Sequence, residues 1–194
     1  MKKMFAILPI LSASLVTTSA FADVTASALA KWDATAKKDT TSSLVVTPMK
    51  SLNFQYAEGV KAFNSQSGAF DVTIQGQDGA TDFALTSKLI TNTLSRTDDT
   101  STLDIGVAWN GEVLKKDAET SLIDTAKNVS AGLESLAQSS AYAGNGRTSA
   151  QSSFEFTVAS ATSDGQTVAN FDTLPDGTWN GDVAVQFTAT WTAP

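Results

Sequence analysis

The chain has 194 residues, with 20 Asp and Glu against 13 Lys and Arg, and it contains neither His nor Cys. Without His and Cys, His-based catalytic triads, thiol nucleophiles and the usual zinc sites are excluded. No cluster of Lys and Arg is present that would neutralise a run of phosphates, so we expect no nucleic-acid partner. These exclusions favour a structural or binding protein, and we expect no enzyme activity and no cofactor.

The first 22 residues have the layout of a signal peptide. Lys2-Lys3 is a positively charged start, residues 4–16 are a short apolar stretch, and Ala20-Phe21-Ala22 has the small-x-small pattern of a cleavage site. The apolar stretch is shorter than the ~20 residues of a membrane-spanning helix. We therefore predict cleavage between Ala22 and Asp23 and export of the remaining chain.

Apolar and polar residues alternate along most of the remaining chain, which predicts short β-strands. The apolar members of the runs are Leu52, Phe54 and Tyr56; Phe70, Val72 and Ile74; Phe83, Leu85 and Leu89-Ile90; Leu103, Ile105, Val107 and Trp109; Phe154, Phe156 and Val158; and Val183, Val185, Phe187, Ala189 and Trp191. Asn110-Gly111 predicts a hairpin after the fourth run, because both residues tolerate positive φ. Residues 44–194 are therefore predicted to form an all-β, immunoglobulin-like antiparallel sandwich.

Residues 117–150 lack this alternation. We interpret this segment as a long connection, in which Leu122-Ile123 and residues 131–137 form a short helix or turn.

The stretch from Asp23 to Ala36 has the pattern of one long strand with an apolar face. Its odd-numbered positions are mostly polar, with Leu29 as the exception, and a period of two is typical of a half-buried strand. Strands average about five or six residues, so this one is unusually long. Its even-numbered positions are Val24, Ala26, Ala28, Ala30, Trp32, Ala34 and Ala36.

Residues 37–43 form a polar tether between this strand and the domain. The alternation by itself is compatible with two arrangements. The strand either folds back as the first strand of its own domain or leaves it to pair with another copy.

The run from Val183 to Trp191 is close to the end of the chain, whereas an immunoglobulin-type sandwich follows its sixth strand with a seventh. A sandwich without that strand exposes an apolar groove and an unpaired edge. The 23–36 strand of a neighbouring copy has the pattern to fill it by β-strand addition. Because such a contact is head to tail, its repetition builds an open filament.

Several blocks of the sequence are too long to match a known family by chance: Asp23 to Ala26, Trp32 to Ser42, Leu44 to Pro48, Phe54 to Gly59, Leu89 to Leu94 and Trp179 to Phe187. In these blocks the chain resembles the major pilins of the Escherichia coli common pilus family (Mat fimbriae), of the alternate chaperone–usher class. The chain differs from type 1 pilins, because it has no cysteine pair and ends in Trp191-Thr192-Ala193-Pro194 without a penultimate aromatic residue.

The resemblance implies that residues 23–36 are a donor strand and that Val183 to Trp191 border the acceptor groove. It also implies transit through the periplasm, where a chaperone holds that edge until an outer-membrane usher exchanges it for the next subunit's strand. The filament is then a fimbrium on the surface of a Gram-negative bacterium, with identical subunits and a separate tip adhesin. The implied roles are adherence to host cells and biofilm formation.

Two other functions compete with this interpretation. A monomeric secreted binding module, such as an adhesin, shares the sandwich but usually carries a further lectin-like domain or a conspicuous aromatic pocket. A glycosidase needs only a pair of carboxylates. However, Asp98-Asp99 is the only adjacent acidic pair, and its Ser/Thr-rich surroundings indicate a solvated loop.

Overall fold

The computed structural model describes residues 38–41 and 43–193, which are mostly antiparallel β-structure. The strands are β1 (Leu44–Pro48), β2 (Tyr56–Ala57), β3 (Ala62–Phe63), β4 (Gln66–Gln75), β5 (Asp82–Thr91), β6 (Thr93–Ser95), β7 (Thr102–Trp109), β8 (Glu112–Val113), β9 (Thr120–Asp124), β10 (Arg147–Thr162), β11 (Val168–Ala169) and β12 (Ala184–Thr192). Short helical segments lie at Thr125–Lys127, Ser139–Tyr142 and Phe171–Thr173. Within these ranges, none of the helices has the length and apolarity needed to cross a membrane.

The strands form two main sheets with the order of an immunoglobulin domain. The first sheet is ordered β1-β4-β10-β7-β6, with β8 and β11 attached, and the second is ordered β12-β5-β9. An immunoglobulin constant-type domain pairs strands A-B-E-D in one sheet and C, F and G in the other. Strands β1, β4, β10 and β7 take the A-B-E-D positions, while β5 and β12 take C and F. The predicted immunoglobulin-like sandwich is therefore confirmed.

The core is made by the inner faces of the long strands. Its side chains from the predicted runs are each at most 8% exposed: Phe70, Val72, Ile74, Phe83, Leu85, Leu89, Leu103, Ile105, Val107, Trp109, Phe154 and Phe156. A stacked aromatic pair, Phe70 and Phe154, lies at its centre with ring centroids 4.8 Å apart. Such rings carry much of a small core's packing energy.

The predicted hairpin at Asn110-Gly111 is confirmed. It joins β7 to β8, and both residues have positive φ, at 49° and 86°. Positive φ at both central positions is the requirement of the two-residue turn that matches the twist of paired strands.

The predicted helix or turn at Leu122-Ile123 is wrong, because both residues lie in β9. Leu85 on β5 pairs with Ile123, and its neighbour Thr86 pairs with Ser121, so Leu122 is an extra bulged residue. Both Leu122 and Ile123 are fully buried. A bulge lets two adjacent side chains face the core, and it removes the alternation by which a strand is recognised in sequence.

The run at Leu52, Phe54 and Tyr56 has its predicted alternation but little of the predicted strand. All three side chains are partly buried and the residues between them are exposed, yet only Tyr56–Ala57 pairs, with β3. Leu52 and Phe54 pack against the core without belonging to a sheet.

Candidate strand-accepting groove

The last strand, β12, is an end strand of its sheet in the described part of the chain. It pairs with β5 from Ala184 opposite Thr91 to Thr192 opposite Asp82, and no other described strand pairs with it. In the immunoglobulin arrangement the seventh strand lies beside this edge. Residues 38–41 and 43–193 therefore contain six strands of that arrangement and none at the seventh position.

The inner face of β12 is apolar and only partly buried. Its residues alternate strictly between exposed and partly buried from Ala184 to Thr192. The register with β5 places Phe187 opposite Ser87, Ala189 opposite Leu85 and Trp191 opposite Phe83. These side chains rest on the buried inner face of β5, while their other side has less cover than the core of the sandwich.

Strand β1 and the segment after it also carry partly buried apolar side chains, and they face β12 as a second wall. Strand β1 is the end strand of the first sheet, next to β4. On β4, Phe70 lies opposite Pro48, the last residue of β1. The ring of Phe70 also packs against that of Phe187 on β12, with the ring centroids 5.4 Å apart. The ends of the two sheets thus meet over the same part of the core.

We define the acceptor groove by the partly buried apolar side chains of these two walls. They pack against the core, and they are Leu44, Val46, Leu52, Phe54, Val183, Val185, Phe187, Ala189 and Trp191. Neither β1 nor β12 contains a charged residue. An apolar groove beside a strand edge that no described strand pairs with fits one kind of occupant, an extended segment with an apolar face.

Two polar atoms in and beneath the groove lack partners. Within residues 38–41 and 43–193, the indole Nε1 of Trp191 and the hydroxyl of Ser87, opposite Phe187, are buried without a hydrogen bond. A buried unpaired donor costs about 1–3 kcal/mol.

The five predicted groove residues, Val183, Val185, Phe187, Ala189 and Trp191, all lie along the β12 wall, with Val183 just before the strand. The predicted donor-strand residues Val24, Ala26, Ala28, Ala30, Trp32, Ala34 and Ala36 lie outside the described residues, as does the predicted cleavage site at Ala22 and Asp23. Strand donation and acceptance therefore stay predictions.

The alternation of apolar and polar residues did not predict the β1 wall. Leu44-Val45-Val46 has no alternation, because Val45 is partly buried as well as its neighbours. The available signal was a short β-branched run closed by Pro48, and proline is typical of edge strands.

No alternative chemistry is visible near the groove. In the described ranges, no group of three or more Asp and Glu side chains is arranged to hold a metal ion. The adjacent acidic pair Asp98-Asp99 lies beside Arg96, with Asp99 accepting from the hydroxyl and amide of Ser101 at 2.6 and 2.8 Å. These hydrogen bonds from Ser101 lower the pKa of Asp99, with a smaller contribution from Arg96. Asp99 therefore helps to hold the bend at residues 97–100, while Asp98 is exposed.

The fold and the groove together define a class: an immunoglobulin-like sandwich whose described residues supply six strands of that arrangement and leave an apolar groove beside β12. Comparison with known proteins gives the family. The chain belongs to the fimbrillin MatB family, whose model matches residues 25–191. As a fimbrillin, it is a structural subunit of a pilus and not an enzyme.

Curated relatives agree with this assignment. The chain is 57% identical to the common pilus major fimbrillin subunit EcpA of Klebsiella pneumoniae over 175 residues, which is 89% of each chain. It has the same identity and coverage with EcpA of Escherichia coli K12. Among solved structures it resembles the CooA pilin subunit of enterotoxigenic Escherichia coli, at 14% identity and a TM-score of 0.43 over 76% of this chain and 88% of that one.

Proposed function

We propose that this pilus subunit polymerises by donor-strand complementation, with residues 23–36 of one copy lying in the acceptor groove of the next. The observation that carries the proposal is the outer edge of β12, which pairs with no strand among the described residues and has partly buried apolar side chains along its whole length. An exposed edge of this kind pairs with another strand unless it is protected.

The pattern of residues 23–36 complements the groove. Every even-numbered residue is apolar, so one face of an extended strand carries only apolar side chains. The two strands that line the groove, β1 and β12, carry no charge to oppose that face. Most of the even-numbered residues are alanines, which allow close approach of two backbones. Trp32 is large enough to fill a wide part of the groove.

The joint is expected to be durable. Burying Trp32 removes ~150–250 Å² from water, which is worth roughly 4–6 kcal/mol. Each hydrogen bond to the edge of β12 adds about 1 kcal/mol net. Repetition of this head-to-tail contact generates an open filament of identical subunits.

The remaining partners belong to the same proposal. Those relatives are named as common pilus subunits, and we propose that this chain forms the same kind of fimbrium on the surface of a Gram-negative bacterium. During transit through the periplasm a chaperone covers the acceptor groove, and an outer-membrane usher replaces it with the next subunit's strand. The finished fibre carries a tip adhesin and serves adherence to host cells and biofilm formation.

Deletion of residues 23–36 tests the proposal. The shortened chain keeps the groove but has no strand to donate, so we expect it to form no filaments when it is the only copy expressed. The matched control replaces residues 23–36 with the same amino acids in an order without alternation, and it should fail in the same way. Filaments of normal length from either variant, seen by electron microscopy, would contradict donor-strand assembly.

A further inference from the structure

A second aromatic cluster lies apart from the main core and joins two distant segments. The β2–β3 hairpin contributes Tyr56 and Phe63, whose rings are 5.4 Å apart. Phe63 also meets Phe171 at 5.5 Å and Trp179 at 6.3 Å, both edge to face. Phe171 and Trp179 belong to the loop between β11 and β12. The cluster therefore docks the hairpin onto the loop that leads into β12.

A covered arginine completes this cluster. The guanidinium of Arg96 lies 5.2 Å from the centre of the Trp179 ring, and the side chain is only 8% exposed. It donates to the carbonyl of Pro175 at 3.0 Å and contacts Asp99 at 3.2 Å. A Cβ added to Gly177 would lie 2.5 Å from its Cζ, so the loop backbone rests directly on the cation. A cation held over an aromatic face and partly removed from water is attracted to the ring, so this contact stabilises the cluster.

Further bonds attach the same loop to its neighbours. The indole of Trp179 donates to the hydroxyl of Ser101 at 3.1 Å. Ser95 and Asn180 exchange two backbone hydrogen bonds, at 3.0 and 2.9 Å. Lys61, at the hairpin, forms a 2.9 Å ion pair with Asp172 in the loop. The loop is thus tied to the first sheet and to the hairpin a few residues before β12 begins.

The two docked segments continue the two walls of the acceptor groove. The hairpin follows Leu52 and Phe54, which extend the β1 wall, and the loop ends at Val183, where the β12 wall starts. We propose that the cluster of Tyr56, Phe63, Arg96, Phe171 and Trp179, here called the groove clamp, positions the start of β12 relative to the β1 wall, so that an empty groove keeps the width needed to receive a strand. This proposal rests on the proposed function of strand acceptance.

The clamp is needed because an end strand is held by a neighbouring strand on one side only. Strand β12 has one neighbouring strand in the described part of the chain, and elements with few partners open locally at low cost. A groove that must first reorganise binds its strand more slowly and more weakly than one held ready. The clamp supplies contacts at one end of β12 that do not depend on the incoming strand.

The test compares Phe63→Leu with Phe156→Leu in the full chain. Both remove an aromatic ring, but Phe156 lies in the main core, near Phe154 and Gly68. The probe is a dye-labelled peptide of residues 23–36, and its rate of capture is measured. We expect Phe63→Leu to slow capture about three- to tenfold, because leucine cannot reproduce the edge-to-face packing of the Phe63 ring. Phe156→Leu should leave the rate near that of the parent.

Hydrogen exchange separates positioning from general stability. In Phe63→Leu we expect faster exchange of the amides at the start of β12, with β4 and β7 unchanged; Phe156→Leu should show the reverse. Lys61→Gln is the alternative variant if Phe63→Leu fails to fold, because Lys61 is 63% exposed and its replacement leaves the core intact. Loss of its ion pair with Asp172 should slow capture about twofold. If the parent and the variants capture the peptide at the same rate, the proposed role of the groove clamp is wrong, but strand acceptance is not. If the parent neither captures the peptide nor forms filaments, strand acceptance itself is wrong.

Discussion

The ring of Phe187 on β12 lies 5.4 Å from the ring of Phe70 on β4, close to edge to face at 61°. Phe154 on β10 completes the group, 4.8 Å from Phe70 and 5.8 Å from Phe187. The β12 wall of the acceptor groove is therefore tied across the sandwich to the fully buried core. This contact anchors β12 in the folded domain, although among the described residues its outer edge pairs with no strand.

Replacing Phe187 should destabilise the domain. Phe187→Ala removes the ring that packs on Phe70 and Phe154 and leaves a space above them, so we expect the free energy of unfolding to fall by about 3 kcal/mol. Thr188→Ala is the control, because its side chain is on the exposed face of the same strand. Urea titration of both variants measures the difference. Similar decreases for the two would show that the Phe187 ring contributes little.

Trp32→Asp should stop assembly, because it places an unpaired charge on the face that we propose to enter the apolar groove. Thr35→Asp adds the same charge at an odd-numbered position, on the opposite face of the strand. We expect filaments from Thr35→Asp and few or none from Trp32→Asp, counted by electron microscopy. Equal assembly of both variants would mean that the even-numbered face does not point into the groove.

Gly68→Ala should destabilise the first sheet. A Cβ at Gly68 would lie 2.4 Å from Cε2 of Phe156, which is buried on the neighbouring strand β10. The ring must shift within the core, at a cost of about 1–3 kcal/mol. Gly146→Ala is the control, because no atom lies within 4 Å of its added Cβ. Thermal unfolding should show a lower midpoint for Gly68→Ala only, and an unchanged midpoint would argue against this close contact.

Acid should weaken the turn after β10. Asp164 accepts hydrogen bonds from the amides of Thr167 and Gln166 at 2.6 and 3.0 Å and from the Thr167 hydroxyl at 2.9 Å. These bonds, that of the Thr167 amide first, hold the pKa of Asp164 below its usual value. A carboxyl group with a lowered folded-state pKa stabilises the fold above its unfolded pKa, and this contribution is lost as the pH falls through the lower folded value.

The check is the unfolding midpoint measured from about pH 6 to about pH 3, below the ordinary pKa of an aspartate. Asp164→Asn cannot titrate, so we expect a smaller fall in midpoint across this range than for the parent. Asp117→Asn, in an exposed bend, is the control and should follow the parent curve. If Asp164→Asn also follows the parent curve, the Asp164 hydrogen bonds are not coupled to stability.

Much of the fold follows from local pattern. The runs ending at Ile74, Trp109 and Val158 predict β4, β7 and part of β10, because a half-buried strand must place an apolar side chain at every second position. The turn at Asn110-Gly111 is equally local, since positive φ depends on the residue itself.

The errors lie where tertiary contacts override the pattern. Strand β9 has a bulge that places Leu122 and Ile123 side by side in the core, so the period of two is lost. At Leu52 and Phe54 the opposite occurs: the alternation is present because the segment covers the core, but no neighbouring strand in the described part of the chain pairs with it. Alternation reports burial on one side, whereas strand pairing requires a second strand within hydrogen-bonding distance.

The sequence by itself determined the apolar faces of the described strands, such as β4, β7 and β12, because side-chain direction along a strand is a local property. It also determined the family, through blocks shared over most of the chain. Among the residues that the structure describes, only the tertiary structure decided that β12 lies at the end of its sheet, that β1 forms the opposite wall, and that Arg96 and its aromatic neighbours join the segments beside them. These features depend on residues far apart in the chain, which only folding brings into contact.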